Sequence, residues 1–588
     1  MDAVTRSTGR VARVAGPLVE IEQLPGLAMA DLVELGSDRL PGEVVALRDG
    51  VATVQAYEYT GGLGPGAPVV PVGTPLSAPL GPGLLGSVVD GLLRPLSGVG
   101  PWLHPSRAGD PTERTWPVEP IVAEGRGVRA GDTVATVTTP GGLEFRVLVP
   151  PGLSGRLVDV AEPGPRPADA TVAWVETTAG RAPVRLTQHW PVRKARPAGH
   201  RVDTVSGLTT GQRAVDLLYP VARGSSAAVP GGFGTGKTML LQQVAKWCDA
   251  DVIVYVGCGE RGNEMADVVA DLRELVDPRT GTPLSRRTVV IANTSNMPMM
   301  AREASIYSGV TVAEFFRDMG YHAVVIADST SRWAEALREF ASRSGALPAE
   351  EGYPADLASA LAAFYERAGH MVTLGGSEGS VTVIGAVSPP GGDRSEPVTA
   401  NTERFVRCVW SLDRDLAYAR HYPAVSWTGS FSRDADDLAV WHTRQGDPGW
   451  ATRRGRMLGM LAEADRLTAL ADLVGIGSLP PTERVVLLGA RLLREGVLQQ
   501  NALSTTDASC SPEKGAALVE AVLAVVDRCH SLVDRGVLAS TIEEQDYSGL
   551  VRAREETGSD DVDAVHRRRD SLLAVLDGLD GEASGGAP

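Results

Sequence analysis

Residues 230–238 read PGGFGTGKT, and this stretch decides the fold. Residues 231–238 fit the pattern G-x-x-x-x-G-K-[ST], follow the apolar run AAV at 227–229 and open the helical run TMLLQQVAKW. Such a loop between a strand and a helix cradles phosphate oxygens with its backbone N–H groups and with the positive end of the helix. The predicted nucleotide-binding residues are Gly231, Gly232, Phe233, Gly234, Thr235, Gly236, Lys237 and Thr238.

Lysine is rare in this chain, because only four of the 56 basic residues are lysine, and one of them is Lys237. A compact, strongly hydrated ammonium fits inside such a loop, where a planar guanidinium would not. Lys237 is expected to reach the β- and γ-phosphates, and the Thr238 hydroxyl is expected to ligate Mg²⁺. The predicted cofactor is therefore Mg²⁺ together with ATP or ADP.

Two carboxylates and one arginine extend the predicted site. The run AVVIAD at 323–328 is an apolar strand that ends in Asp328, which can hold the metal from the C-terminal edge of a parallel sheet. Glu260 and Arg261 follow the strand-like run DVIVYVG, where the carboxylate can act on the attacking water and the guanidinium on the γ-phosphate. From spacing alone, an exposed Glu–Arg loop with no catalytic role explains Glu260 and Arg261 equally well.

Around the phosphate loop, residues 191–435 alternate apolar strand runs with amphipathic helical runs. This alternation predicts an α/β nucleotide-binding domain with a mostly parallel sheet covered on both faces. Residues 1–72 show short runs of alternating apolar and polar residues between Gly, Pro and Asp turns, which predict an N-terminal β-barrel. Residues 73–116 are rich in Gly, Pro and Leu and are interpreted as a connector with one short helix.

Two further regions complete the predicted organisation. Residues 117–190 return to strand-like runs between proline-rich turns and predict an inserted β-rich module. Residues 436–578 space their apolar residues at three and four, which predicts a C-terminal helical bundle. Residues 579–588 are predicted to be a disordered tail.

Composition limits the classes of function. The net charge of −16 has the wrong sign for a protein whose main partner is a phosphate backbone, so no nucleic-acid partner is expected. No run approaches the roughly 18 apolar residues that a membrane span needs, and the N-terminus does not read as a secretory signal. Five scattered cysteines without CxxC spacing argue against a disulfide framework or a zinc site. A cytoplasmic location is therefore expected.

Three segments together resemble the catalytic A subunit of the V/A-type rotary ATPases. They are PGGFGTGKT, VGCGERGNEM at 256–265 and the run from SNMPMMAREASIYSG to VVIADSTSRWAEALRE within 295–339. F-type catalytic β subunits carry GERTREG where this chain has GERGNEM, and they lack a long module such as residues 117–190. The non-catalytic V/A-type B subunit lacks an intact P-loop. The resemblance covers nearly the whole chain and implies a RecA-like nucleotide-binding domain.

The resemblance also implies roles for individual residues. Lys237 and Thr238 would bind phosphate and Mg²⁺, Glu260 would polarise the attacking water, Arg261 would contact the γ-phosphate and Asp328 would hold the metal. ATP would sit at the interface with a non-catalytic B subunit that supplies an arginine finger, in an alternating A/B hexamer. Central and peripheral stalk subunits and a membrane rotor sector would couple synthesis or hydrolysis of ATP to H⁺ or Na⁺ transport at the cytoplasmic face of the cell membrane.

The chain departs from the family pattern at the base pocket and in the loop. Ser509 and Leu503 stand where family members usually have aromatic residues, so Phe431 is expected to be the aromatic wall of the purine pocket; the alternative is that Phe431 belongs to the core. Thr235 stands where eukaryotic vacuolar relatives carry a cysteine. We therefore expect no redox switch through the phosphate loop, and Cys258 reads as inert packing.

Two other functions remain open at this point. One is a homohexameric RecA-like ATPase, such as an export ATPase or a helicase, which shares the phosphate loop and the strand that ends in Asp328. The other is a structural subunit that binds nucleotide without turnover. The motif GERGNEM and the net charge of −16 favour the rotary enzyme, and the presence of all five predicted catalytic and metal-binding residues favours turnover.

Overall fold

The computed structural model describes residues 8–22, 24–98, 114–277 and 280–585, and the chain divides into two compact units. The first unit comprises residues 1–203, 250–387 and 395–405, and the second comprises 204–249, 388–394 and 406–588. The predicted nucleotide-binding domain contributes to both. In the described part of the chain, no helix combines the length and apolar character that crossing a membrane requires.

The first unit begins with a closed barrel. Its strands are β1 (Gly9–Ala15), β2 (Leu18–Glu22), β3 (Asp31–Leu35), β4 (Leu40–Arg48), β5 (Val51–Ala56) and β6 (Pro68–Pro75). They are ordered β1-β2-β5-β4-β3-β6 around the barrel. Every second side chain points inward, and Val19, Ile21, Val33 and Val54 are fully buried in its core. The predicted N-terminal β-barrel is confirmed.

The connector contains strands where the sequence predicted a short helix. These are β7 (Ser77–Leu80) and β8 (Val88–Val89), and a single 3-10 turn lies between them at Pro82–Leu84. Val88 and Val89 pair in parallel with Val290 and Ile291, so this segment adds an edge strand to the α/β sheet of the first unit. The Gly- and Pro-rich sequence disfavours an α-helix. Residues 99–113 of the connector lie outside the described residues.

The inserted module is all-β. Its strands are β9 (Thr115–Pro120), β10 (Gly127–Val128), β11 (Thr133–Thr138), β12 (Glu144–Leu148), β13 (Gly155–Val158), β14 (Gly164–Pro167), β15 (Thr171–Thr177), β16 (Gly180–Arg185) and β17 (Gln188–Pro191). Two four-stranded sheets form, in the orders β10-β13-β15-β16 and β12-β11-β9-β14, and β17 pairs with β7. The β-rich character predicted for this segment is observed.

The N-terminal part of the second unit contains the strand and helix that flank the phosphate loop. Its first elements are β18 (Gly207–Leu208), α1 (Arg213–Leu218), β19 (Val221–Ala222), β20 (Ser226–Pro230) and α2 (Lys237–Trp247). All five residues of β20 are buried, as expected for a central strand. The sequence prediction of a strand, a loop and a helix at this point agrees with the structure.

The α/β part of the first unit consists of β21 (Val252–Cys258), α3 (Gly262–Glu274), β22 (Thr288–Asn293), α4 (Met299–Asp318), β23 (His322–Asp328), α5 (Thr330–Ser344), α6 (Leu357–Tyr365), β24 (Gly369–Val372), β25 (Glu378–Val387) and α7 (Pro397–Phe405). Strands β25, β23, β21, β22 and β8 are neighbours in that order and run parallel, and β24 pairs antiparallel with β25. The predicted α/β class is confirmed.

The rest of the second unit is mainly helical. It contains β26 (Cys408–Val409), α8 (Arg414–Tyr418), β27 (Phe431–Ser432), α9 (Ala435–Arg444), α10 (Trp450–Val474), α11 (Pro481–Leu493), α12 (Pro512–Asp534), α13 (Ala539–Glu543), α14 (Ser548–Val551), α15 (Ala553–Glu556) and α16 (Val562–Gly585). Strand β26 pairs in parallel with β20 and antiparallel with β27. Ser511 caps α12, because its hydroxyl accepts the backbone N–H of Lys514. The predicted C-terminal helical domain is confirmed.

The last helix extends beyond the predicted boundary. Helix α16 continues to Gly585, through most of the segment predicted to be a disordered tail from residue 579. Glu582 and Ala583 are good helix formers, which is consistent with this continuation. Residues 586–588 lie outside the described residues.

Candidate functional site

The phosphate loop is a tight bend between β20 and α2. Gly234 and Gly236 have φ values of +79° and +88°, a left-handed conformation that glycine adopts without strain. A Cβ on Gly231 would lie 2.7 Å from Oγ1 of Thr235 and 2.9 Å from Cβ of Leu412. The spacing of glycines in the motif therefore follows from local crowding and from backbone conformation.

The Lys237 ammonium lies within the bend of the loop. Its Nζ donates hydrogen bonds to the carbonyl oxygens of Gly231 at 2.6 Å and Gly232 at 2.9 Å. Thr235 Oγ1 also donates to the Gly232 carbonyl, at 2.9 Å. Thr238 lies half-buried in the first turn of α2, next to the N–H groups that this helix end presents. This arrangement offers positive charge and N–H donors to an anion.

A cavity of about 460 Å³ adjoins the loop within the second unit. One wall is the loop itself, a second is the turn formed by residues 389–394, and a third is formed by residues 411–414 with Tyr418. The volume lies in the range of about 300–1,000 Å³ that is usual for small-molecule sites. Phe233, at the tip of the loop, is 97% exposed, so its ring is available to contact a ligand or another polypeptide.

An aromatic ring that packs against the loop is that of Tyr422, a residue that sequence reasoning missed. A Cβ on Gly236 would lie 3.4 Å from Cε1 of Tyr422. The backbone N–H of Gln500 donates to the Tyr422 carbonyl at 2.7 Å, which links this segment to the end of the π-helical turn Arg494–Leu498. The motif DLAYARHYPAVSW contains Tyr422, but a contact between residues so far apart in sequence cannot be read from that motif.

The predicted aromatic wall, Phe431, lies on β27 opposite Val409. Its ring is half-buried beneath the guanidinium of Arg433, whose Cζ is 5.3 Å from the ring centroid. Phe431 does not line the cavity beside the loop. Leu503, one of the two positions where an aromatic residue was expected, is 90% exposed. The other, Ser509, faces Gly211, where a Cβ would lie 3.6 Å from the Ser509 Cβ.

Asp328 and Glu260 lie in the first unit, at the C-terminal ends of neighbouring parallel strands. Asp328 ends β23 and is paired in register with Gly257 of β21, three residues before Glu260. The Asp328 side chain is 2% exposed, and Tyr255 Oη donates a hydrogen bond of 3.2 Å to its Oδ2. The structure therefore brings the predicted metal ligand Asp328 and the predicted base Glu260 to the same edge of the sheet.

The environment of Glu260 disfavours its charged form. Burial, the Asp328 carboxylate and Glu264 raise the pKa of Glu260 to about 8, while the Arg332 charge lowers it. Mg²⁺ is usually held by one or two protein oxygens together with substrate phosphates, and the buried Asp328 carboxylate is one such donor. Among the described residues, no group of three or more Asp, Glu, His or Cys side chains could hold a metal by itself. The raised pKa of Glu260 is typical of a catalytic carboxylate.

Two arginines lie beside this carboxylate group. The predicted residue Arg261 is largely exposed and contacts Glu264, with Nη1 3.7 Å from Oε1. Arg332, which sequence reasoning did not select, packs against the turn before Glu260, where a Cβ on Gly259 would lie 2.9 Å from the Arg332 Cβ. Arg332 also pairs with Glu335 at 2.9 Å. Arg332 stands in DSTSRW, four residues after Asp328, and this proximity was the signal by which the sequence could have identified it.

The expectation that the phosphate loop carries no redox switch stays a prediction. Thr235 occupies the loop position in question, and all five cysteines are buried. Burial raises the pKa of the Cys258 thiol to about 12, so the reactive thiolate is scarce at neutral pH.

Family models match four consecutive parts of the chain. The nucleotide-binding domain of the ATP synthase alpha/beta family matches residues 211–432, and the beta-barrel domain of that family matches residues 11–73. The barrel-sandwich domain of the alpha/beta subunits matches residues 111–193, and the C-terminal domain of V and A type ATP synthase matches residues 439–542. The four matches follow the same order as the elements of the fold.

Full-length relatives agree with these matches. The V-type ATP synthase alpha chain of Halothermothrix orenii is 46% identical over 94% of this chain and 96% of its own length. The A subunit of the A-type ATP synthase of Methanopyrus kandleri is 47% identical over 90% of this chain and 91% of its own, and that of Haloferax volcanii is 46% identical over 92% of each. The chain belongs to the family of alpha chains and A subunits of the V-type and A-type ATP synthases.

Proposed function

We propose that this chain is the catalytic subunit of a V/A-type rotary ATPase, which synthesises or hydrolyses ATP and couples that reaction to transport of H⁺ or Na⁺ across a membrane. The single observation that carries the proposal is the phosphate loop, in which the Lys237 ammonium lies within a bend of left-handed glycines at the start of α2. Family membership supports the extension from nucleotide binding to ATP synthesis and hydrolysis.

The phosphate loop would bind the nucleotide. Lys237 and the N–H groups of residues 231–238 would hold the phosphates. A bound phosphate would compete with the Gly231 and Gly232 carbonyls for the Lys237 ammonium. Tyr422, whose ring lies next to Gly236, is the proposed stacking partner of the base, and Phe431 remains the alternative aromatic wall; neither ring lines the cavity beside the loop.

Three further residues have proposed roles in the reaction of the attacking water. Glu260 is the proposed base, Arg261 would contact the γ-phosphate, and Asp328 together with Thr238 would hold Mg²⁺. When bound, Mg²⁺ supplies positive charge that stabilises the transferring phosphoryl group. The Asp328 charge helps to raise the pKa of Glu260. A cation held by Asp328 would offset that charge and so lower the pKa of Glu260. Glu260 then becomes the carboxylate that accepts a proton from water.

A dissimilar neighbour completes the proposed site. A non-catalytic B subunit would alternate with this chain in a hexamer and contribute an arginine finger, and stalk subunits would connect the ring to a membrane rotor sector at the cytoplasmic face. An arginine finger contributes about 10³–10⁵ in rate to phosphoryl transfer. The isolated chain should therefore bind ATP and hydrolyse it slowly.

The direct test is the rate of ATP hydrolysis by the purified chain, alone and after assembly with its B partner. The proposal predicts an increase of at least about a thousandfold on assembly. Equal rates, or full activity in a ring of identical copies, would instead support a homohexameric RecA-like ATPase. Nucleotide binding without turnover in the assembled complex would support a structural subunit. The ATP synthase names of the relatives favour neither alternative.

A further inference from the structure

The turn at residues 389–394 is an unusual part of the second unit. The residues before it, up to Val387, and the residues after it, from Ser395, belong to the first unit, whereas residues 388–394 cluster with the phosphate loop. The turn also lines the cavity beside the loop. A short stretch of chain is therefore held against the loop although it is distant from it in sequence.

The turn approaches the loop through backbone atoms. Gly392 Cα lies 3.9 Å from the position that a Cβ on Gly232 would occupy. Gly391 and Gly392 have φ values of +64° and +83°, a conformation that side chains disfavour. These two glycines have no side chain with which to pack, so an anchor elsewhere in the turn has to hold it in place.

Arg394 provides such an anchor. Its Nη1 donates hydrogen bonds to Ser411 Oγ at 3.3 Å and to the Gly429 carbonyl at 3.1 Å. Both acceptors belong to the second unit, and Ser411 lies two residues after the end of β26. The guanidinium is thus tied to the wall of the cavity that faces the turn.

The receiving site for the guanidinium is closely packed and polar. The Ser411 backbone N–H donates to Ser430 Oγ at 2.9 Å, and the Gly429 N–H donates to Ser426 Oγ at 3.1 Å. A Cβ on Gly429 would lie 3.1 Å from Arg394 Nη1, closer than most side chains tolerate. An alanine at position 429 would therefore require the guanidinium, and the Ser411 and Ser426 hydroxyls at 3.2 Å, to shift by a few tenths of an ångström.

We infer that Arg394 is a positioning residue, which sets the separation between the turn at 389–392 and the phosphate loop and so the width of the cavity that receives the nucleotide phosphates. Arg394 acts through the turn and does not react itself. The inference rests on the proposed function, because that function identifies the ligand of the cavity as a nucleoside triphosphate. A displaced wall misaligns the bound phosphates, and misplacement by about 1 Å can cost as much as a hundredfold in rate.

The test compares three variants of the complete chain, each assembled with its partner. R394M removes the guanidinium, R394K keeps the charge but loses the planar fork, and G429A crowds the guanidinium from the opposite side. We expect R394M and G429A each to raise the KM for ATP about tenfold with a smaller change in kcat, and R394K to fall between R394M and the original chain. R456M is the matched control, since that guanidinium pairs with Asp527 between α10 and α12.

Two further measurements separate positioning from general stability. The double variant R394M/G429A should lose clearly less than the product of the two single losses, because both changes act on the contact between Arg394 and Gly429. Hydrogen exchange should quicken in residues 388–394 and not in the barrel. An unchanged KM in R394M, or additive losses in the double variant, would overturn the inference. Absence of ATP hydrolysis by the original complex would overturn the proposed function instead. In that case, the affinity of the R394M chain for a fluorescent ATP analogue, compared with that of the original chain, would still test the role of Arg394.

Discussion

The Tyr255 hydroxyl donates a hydrogen bond of 3.2 Å to Oδ2 of Asp328, across two neighbouring parallel strands. Tyr255 is fully buried, and burial together with the Asp328 charge raises the pKa of its phenol well above the usual value, so the group stays a donor. A fixed donor of this kind orients the carboxylate for a metal ion.

Loss of this donor should weaken metal binding. We expect Y255F to raise the Mg²⁺ concentration needed for half-maximal ATP hydrolysis about tenfold, since partners behind metal ligands typically contribute 10–100-fold. The measurement is a Mg²⁺ titration of the assembled complex at saturating ATP. Y219F is the control, because the Tyr219 hydroxyl donates to the Trp427 carbonyl at 2.7 Å and not to a carboxylate. Equal Mg²⁺ requirements for both variants would contradict the role of Tyr255.

The pKa of Glu260 gives a prediction for the dependence on pH. A carboxyl group with a pKa of about 8 is largely protonated below that pH and cannot accept a proton, so kcat/KM should rise with pH up to about 8. Glu264 is one cause of the raised value, and Arg332 acts in the opposite direction. E264Q should therefore move the rise to lower pH. The control is E274Q, an exposed glutamate on the same helix; a shift of equal size there would contradict the assignment.

Tyr422 gives a prediction for nucleotide affinity. Removal of a stacking ring costs about 1 kcal/mol, roughly a fivefold loss, so Y422A should weaken ATP binding by about that factor while Y422F should not. F431A tests the alternative wall in the same titration. A larger loss in F431A than in Y422A would show that Phe431, rather than Tyr422, carries the stacking. Affinities for GTP and ITP, measured alongside, report whether the ring contributes to base selectivity.

The buried lysine Lys514 gives a prediction for stability. Lys514 Nζ donates to the carbonyl oxygens of Arg554 at 2.9 Å and Thr557 at 3.3 Å. K514M leaves these acceptors without that donor, which should lower the free energy of unfolding by about 1–3 kcal/mol. K194M changes an exposed lysine and should stay within about 0.5 kcal/mol. Denaturant unfolding of the two variants is the comparison, and equal midpoints would contradict the structural role of Lys514.

The sequence predicted those features that local pattern determines. The loop, its helix and the strand that ends in Asp328 all follow from motif and periodicity, and the barrel follows from alternation in short runs. The same reasoning missed β8, because two residues are too few to show a period. It also missed Tyr422 and Arg394, whose contacts with Gly236 and Gly429 join segments far apart in the chain. Tertiary packing, which no local pattern encodes, decides such contacts.

The most direct test of the account is E260Q in the assembled complex, with ATP hydrolysis and nucleotide binding measured on the same preparation. The amide keeps the shape of the carboxylate but cannot accept a proton from water. We predict a loss of at least about a hundredfold in turnover, within the range that general bases contribute, with ATP affinity changed less than about threefold. Hydrolysis at the original rate would contradict the claim that this chain supplies the catalytic carboxylate.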